Sequence, residues 1–176
     1  MRRSLMVIFA VSAGALAQSN PITGSIKTEY GMAKDVIARS AEKVPESLYS
    51  FKPTDAVRSF GQLVGHVADG QYEFCSAAAG EKPPATSVEK TKTSKADLEA
   101  ALKQAFAYCD KVFDGMTDSS GAQTVSFFGS NMSKLGILAF NNMHTYEHYG
   151  NMVTYMRLKD IVPPSSEQRP PAPKKK

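Results

Sequence analysis

The amino-acid sequence predicts an all-α fold, a four-helix bundle, on three observations. Four stretches repeat apolar residues at the three-to-four-residue spacing of an amphipathic helix. Each is bounded by a cap residue, a proline or a glycine. No stretch alternates apolar and polar residues for long enough to make a confident strand. The chain length agrees, since 176 residues suit one domain with a sizeable core.

The first helix is expected over 25–43, where Ile26, Tyr30, Ala33 and Ile37 recur after a lead-in from 18 to 24. Pro45 stops it, because proline disfavours helical backbone in the residue before it. A connector over 45–58 carries Leu48, Tyr49 and Phe51, which pack it onto the body. Ser59, with Gln62 three residues on, forms a capping box. Phe60, Leu63, Val67 and Phe74 then carry the second helix to 79, and Gly80 ends it. Residues 81–95 are polar, contain Pro83-Pro84 and read as a loop. Ser94 and Asp97 open the third helix, whose Leu98, Leu102, Ala105, Cys109 and Val112 form a seam up to Gly115. Residues 117–123 are a turn-rich break, and 124–128 a short extended piece. The fourth helix starts at 131 or 133 and runs to 158, with Ile137, Asn141, His144, His148, Asn151 and Tyr155 on one face.

The two ends fall outside this bundle, which is expected to occupy residues 25–164. Arg2 and Arg3, an apolar run from Leu5 to Val11 and the small-residue site Ala15-Leu16-Ala17 make residues 1–17 a secretory signal peptide. The mature chain is accordingly expected to be exported, periplasmic or secreted. The apolar run is too short to span a bilayer, and no other segment qualifies. Residues 165–176 are rich in Pro, Ser and Lys and are expected to be a disordered tail. The formal net charge of +4 is a property of these ends. Arg2 and Arg3 carry two of the positive charges, and Arg169, Lys174, Lys175 and Lys176 four more, so residues 18–168 carry a net −2. A basic nucleic-acid footprint is therefore not expected.

The three histidines carry the chemistry. His144 and His148 are one helical turn apart on one face, and His66 lies within the second helix. Three imidazoles from two facing helices can hold one metal ion and leave a coordination position for water or substrate. Imidazole ligands alone do not choose among zinc, nickel, iron and manganese. His144-Thr145-Tyr146-Glu147-His148 also spells the inverted zinc-peptidase motif. That reading needs a further downstream ligand, and only Asp160 and Glu167 follow, one at the end of the last helix and one in the tail. Asp69 and Glu147 are candidates to accept the outer N–H of a ligating imidazole. Tyr149 and Asn151, with Tyr72, are candidates to face a substrate. Cys75 and Cys109, the only cysteines, are a candidate disulfide in an exported chain, and two buried free thiols fit equally. Phosphate-loop, nucleophile-elbow and C-x-x-C patterns are absent from the sequence.

The segment Ser59-Phe60-Gly61-Gln62-Leu63-Val64-Gly65-His66-Val67-Ala68-Asp69 resembles the second-helix signature of DinB-like proteins. His144-Thr145-Tyr146-Glu147-His148-Tyr149-Gly150-Asn151, followed by Tyr155-Met156-Arg157-Leu158 and Ile161-Val162-Pro163-Pro164, resembles their fourth-helix signature. The resemblance spans about residues 25 to 164. It implies a DinB-like bundle with an unusual helix order, one divalent metal ion on His66, His144 and His148, and a homodimer. It also implies a metal-dependent transferase or hydrolase that activates a thiol or water against a small-molecule substrate. The alternative is a metal- or small-ligand-binding protein without turnover. The chain departs from the common pattern at Tyr149 and Asn151, and Glu147 replaces a frequent histidine.

Overall fold

The computed structural model describes residues 19–84 and 87–167. The segment 1–17, expected to be a signal peptide, lies outside the described residues, as does the part of the expected tail from 168. Four long helices dominate: α1 (Pro21–Lys43), α2 (Phe60–Ala79), α4 (Lys95–Gly115) and α6 (Lys134–Arg157). Two one-turn helices, α3 (Val88–Thr91) and α5 (Asp118–Gly121), interrupt the loops on either side of α4. Both α1 and α2 pack against α4 and α6, so the first two long helices face each other across the bundle.

Local chemistry explains the boundaries. Ser59 accepts from the Gln62 amide while the Gln62 side chain accepts from the Ser59 amide, which completes the expected capping box of α2. Gly80, at φ 79°, ends α2 in the left-handed conformation. Ser94 and Ser133 cap α4 and α6 through their hydroxyls. The first helix starts four residues earlier than its apolar spacing indicates. Asp118 on α5 accepts from the Thr23 amide at 2.8 Å and the Ile22 amide at 3.2 Å, and so caps the first turn of α1 from a distant segment.

The structure adds two further corrections to the sequence reading. The fold is not purely helical. Strands β1 (Thr124–Phe127) and β2 (Ser130–Ser133) form an antiparallel hairpin with Phe127 opposite Ser130. Its two turn residues, Phe128 and Gly129, both have positive φ, as a tight two-residue hairpin turn requires. The ordered chain also continues past Pro164. Residues Pro164–Ser166 make a 3-10 turn. Ser165 exchanges hydrogen bonds with the Tyr149 hydroxyl at 2.7 and 2.9 Å, and Glu167 pairs with Arg39 and Lys43. These contacts fasten 165–167 to α1 and α6.

The core runs along the bundle axis through Ile37, Phe60, Val64, Leu98, Ile137 and Met152, all at most 1% exposed. Two polar features sit inside it. Gln71 and Asn141 exchange amide hydrogen bonds at 2.9 and 3.0 Å, and Gln71 also donates to the Thr145 hydroxyl at 2.9 Å. Beside them Cys75 and Cys109 are bridged, tying α2 to α4 with Cα atoms 5.4 Å apart. The bridge closes a loop of 34 residues, which the chain-entropy model values at about 3–4 kcal/mol. Replacing both cysteines by alanine is expected to lower Tm by roughly 10 °C in differential scanning calorimetry. An unchanged Tm would show that the bridge does not constrain the unfolded chain.

Candidate metal centre

His66 projects from the middle of α2, and His144 and His148 from successive turns of α6. The Nε2 atoms of His66 and His144 are 3.1 Å apart, and those of His144 and His148 3.0 Å. One ligand atom from each ring lies within 4.8 Å of the others. The rings meet edge-on or tilted, with centroids 4.4 to 5.0 Å apart. The structure thus brings together all three histidines singled out in the sequence.

Hydrogen bonding among the rings does not satisfy this arrangement. His66 Nδ1 is 3.0 Å from a Glu89 carboxylate oxygen. A proton on Nδ1 donated to Glu89 leaves the His66 Nε2 lone pair facing the other two rings. His144 Nε2 touches both neighbours and can donate to only one of them. One divalent cation accepts all three lone pairs. Nitrogen ligands at the 2.0–2.1 Å typical of zinc are separated by roughly 3.3 Å in tetrahedral geometry, close to the spacing here. The residues fit such an ion.

Burial keeps two of the rings in the ligating form. Burial, reinforced by positive neighbours, pushes His144 and His148 down from the usual 6.5 to about 4. His144 is backed by Phe74, whose ring centroid is 5.0 Å away. The ring also lies against α2 at Gly70, where an added Cβ would come within 2.8 Å of its Cε1. His144 Nδ1 and His148 Nδ1 are buried and meet no hydrogen-bond partner among the described residues. Glu89 is therefore the protein group that fixes a tautomer in this set.

Glu89 escaped the sequence reading. It sits on α3, inside the stretch expected to be loop. Asp69, expected beside the histidines, acts one step further out. Its carboxylate accepts the Val88 and Glu89 amides at 2.8 and 3.0 Å, capping α3 and so aiming Glu89 at His66. Gly65 lets α3 approach, because a Cβ there would lie 2.7 Å from the Glu89 Cα. Arg58 holds the other Glu89 oxygen through its Nε at 2.8 Å.

The remaining candidates divide. Glu147 and Asn151 line an open cleft of about 570 Å³ together with His148, Arg58 and Glu89. Tyr149 points instead to Ser165 in the C-terminal turn, and Tyr72 pairs with Tyr108 on α4 at 5.6 Å between ring centroids. No helix among the described residues is long and apolar enough to cross a membrane.

This site and fold define a class: helical bundles with a three-histidine set of the kind that holds a divalent ion. The family model of the DinB superfamily matches residues 31–152, and the chain belongs to that superfamily. It is 23% identical over 147 residues to the uncharacterized protein YjoA of Bacillus subtilis, covering 81% of this chain and 91% of YjoA. The solved YjoA structure superposes with a TM-score of 0.66 over 83% of this chain and 99% of that one. A DinB-like protein from Bacillus cereus gives a TM-score of 0.71 at 15% identity, covering 80% of this chain and 95% of that one. A mycothiol-dependent maleylpyruvate isomerase gives 0.62 at 14% identity, over 74% of this chain and 60% of that one.

Two outcomes test the site. Glu89→Ala is expected to weaken zinc binding about 10- to 100-fold in a chelator-competition titration, with the far-UV spectrum unchanged. Equal affinity would remove Glu89 from the site. The metal-free protein should also lose stability as pH falls from about 6.5 towards 4. In that window the unfolded chain takes up protons that His144 and His148 refuse in the fold. Melting curves in chelator should show this fall and a flatter one in a His144→Gln/His148→Gln variant; equal slopes would contradict it.

Proposed function

We propose that this DinB-superfamily protein is an exported metal-dependent transferase or hydrolase. One divalent ion on His66, His144 and His148 is its cofactor, and a small molecule, a thiol among the candidates, is its substrate. The observation that carries the reading is the convergence of three imidazoles, with the Nε2 atoms of His66 and His148 each 3.0–3.1 Å from that of His144 and Glu89 fixing the His66 tautomer. A divalent ion held there lowers the pKa of a thiol or water beside it and supplies a nucleophile near neutral pH.

The chain's own residues do the rest. His66 is oriented by Glu89, and His144 is wedged between Phe74 and Gly70, so the donor atoms are positioned before any ion arrives. Glu147, on the cleft wall beside His148, is the carboxylate available there to accept a proton. The mycothiol-dependent isomerase of the same fold supports a thiol as the activated group. Export is supported by the leader pattern of residues 1–17 and by the Cys75–Cys109 bridge.

Elemental analysis of the native protein is expected to find one divalent ion per chain. His144→Ala should lose that ion together with any activity in a screen of thiols against electrophiles and of ester and amide hydrolysis. Full-strength metal binding by His144→Ala would sink the site. Tight metal binding with no turnover across the screen would identify a binding protein instead.

A further inference from the structure

The cleft beside the histidines contains a cation that the metal site uses through one nitrogen alone. Arg58 ends the connector, one residue before the Ser59 cap of α2. Its carbonyl accepts from the Tyr155 hydroxyl at 2.8 Å, and its Nε donates to Glu89 at 2.8 Å. Both ends of the residue are thereby held. Its two terminal guanidinium nitrogens bond to no other described residue, although the side chain is 42% exposed on the cleft.

We propose that this cleft binds a small molecule through a carboxylate forked onto Arg58, with its other end directed to the ion held by His66, His144 and His148. The proposal rests on the metal-centre reading above and adds the substrate class: a carboxylate-bearing small molecule.

Charge supports it. Three neutral imidazoles leave a divalent ion's charge undiminished. On the cleft wall Lys52 pairs with Asp55 at 2.9 Å, and Arg58 pairs with Glu89. Glu147 alone then stands against the ion's two positive charges, and one anionic ligand neutralises the remainder. The donors on offer and the single charge left over suit a carboxylate. The first amides of α2 are already used, Phe60 by Phe51 O, Gly61 by Tyr49 O and Gln62 by Ser59 Oγ. The helix N-terminus therefore offers no nest for a phosphate. What remains is a planar guanidinium fork, which pairs with carboxylate or phosphate, and of the two the carboxylate carries the one negative charge that the cleft lacks. The cleft, at about 570 Å³, is of the size that encloses a small ligand.

The test uses the full mature chain loaded with cobalt(II), its metal content measured first. Titration with 3-mercaptopropionate and with 2-mercaptoethanol is followed by the thiolate-to-cobalt absorption band. The acid thiol is expected to bind roughly tenfold tighter. Arg58→Met, its cobalt content measured again, should bring the ratio of the two affinities to parity whatever their absolute values, and Arg58→Lys should keep part of the preference. No preference in the parent protein, or a preference that survives Arg58→Met, overturns the proposal. If cobalt is bound but neither thiol gives the band, thiol activation fails on its own. Calorimetry with glutarate then decides: heat lost in Arg58→Met upholds the carboxylate site, and no heat overturns it. A protein that takes up no cobalt overturns the metal centre and this proposal together.

Discussion

The register of α2 against α6 is the constraint on which the site depends, and a buried amide pair sets it. Gln71 and Asn141 are both fully buried and satisfy each other reciprocally, with Thr145 taking the second Gln71 proton. Sliding one helix by a turn would leave several buried polar groups unpaired at about 1–3 kcal/mol each. The pair lies one turn from the histidines on both helices. Gln71 follows His66 by five residues, and Asn141 precedes His144 by three. The two helices run antiparallel, so the same register that pairs the amides faces His66 with His144 and His148. Hydrophobic packing alone tolerates small slips; a reciprocal amide pair does not.

Around that register the site is built outward in steps, each holding the one inside it. Asp69 caps α3, α3 presents Glu89, and Glu89 orients His66 while Arg58 steadies its other oxygen. Two glycines on α2 make the approach feasible. Gly65 admits the α3 backbone and Gly70 admits the His144 ring. Glycine inside a helix costs about 1 kcal/mol relative to alanine, and here both costs fall where close contact is required. The DinB-superfamily bundle supplies the helices, while this short loop helix supplies the tautomer control.

What the sequence revealed, and what it hid, follows from range. The four long helices were legible because apolar spacing and the Ser59, Ser94 and Gly80 signals act within one or two turns. His66, His144 and His148 were legible because no other histidine competes for attention. Glu89 was not, since its helix is one turn long and is capped by Asp69 from nineteen residues away. No local pattern records such a cap. The early start of α1 has the same origin, in Asp118 reaching back to Thr23. Asp69 was singled out for lying one turn from His66, yet it serves that histidine only through α3. Tyr149 was singled out by its neighbour His148, but consecutive helical residues point about 100° apart, and its hydroxyl goes to Ser165.

The centre is asymmetric, and the asymmetry has a cause in the secondary structure. On one side the hairpin lays Phe127 against Phe74, which in turn backs His144 at 5.0 Å. That aromatic layer covers one face of the His144 ring and adds to the burial that raises the cost of protonating it. On the other side α3 and the connector end stand off from α6, leaving the cleft that His148, Glu89, Arg58 and Glu147 line. Burial thus disfavours charge on His144 and His148, while Arg58, Glu89 and Glu147 gather on the side where a ligand can enter. A bundle closed on both sides would hold an ion equally well and have no room for a substrate. One open on both sides would let its imidazoles protonate near their ordinary value. The placement of the hairpin on one flank and the one-turn helix on the other reconciles the two demands.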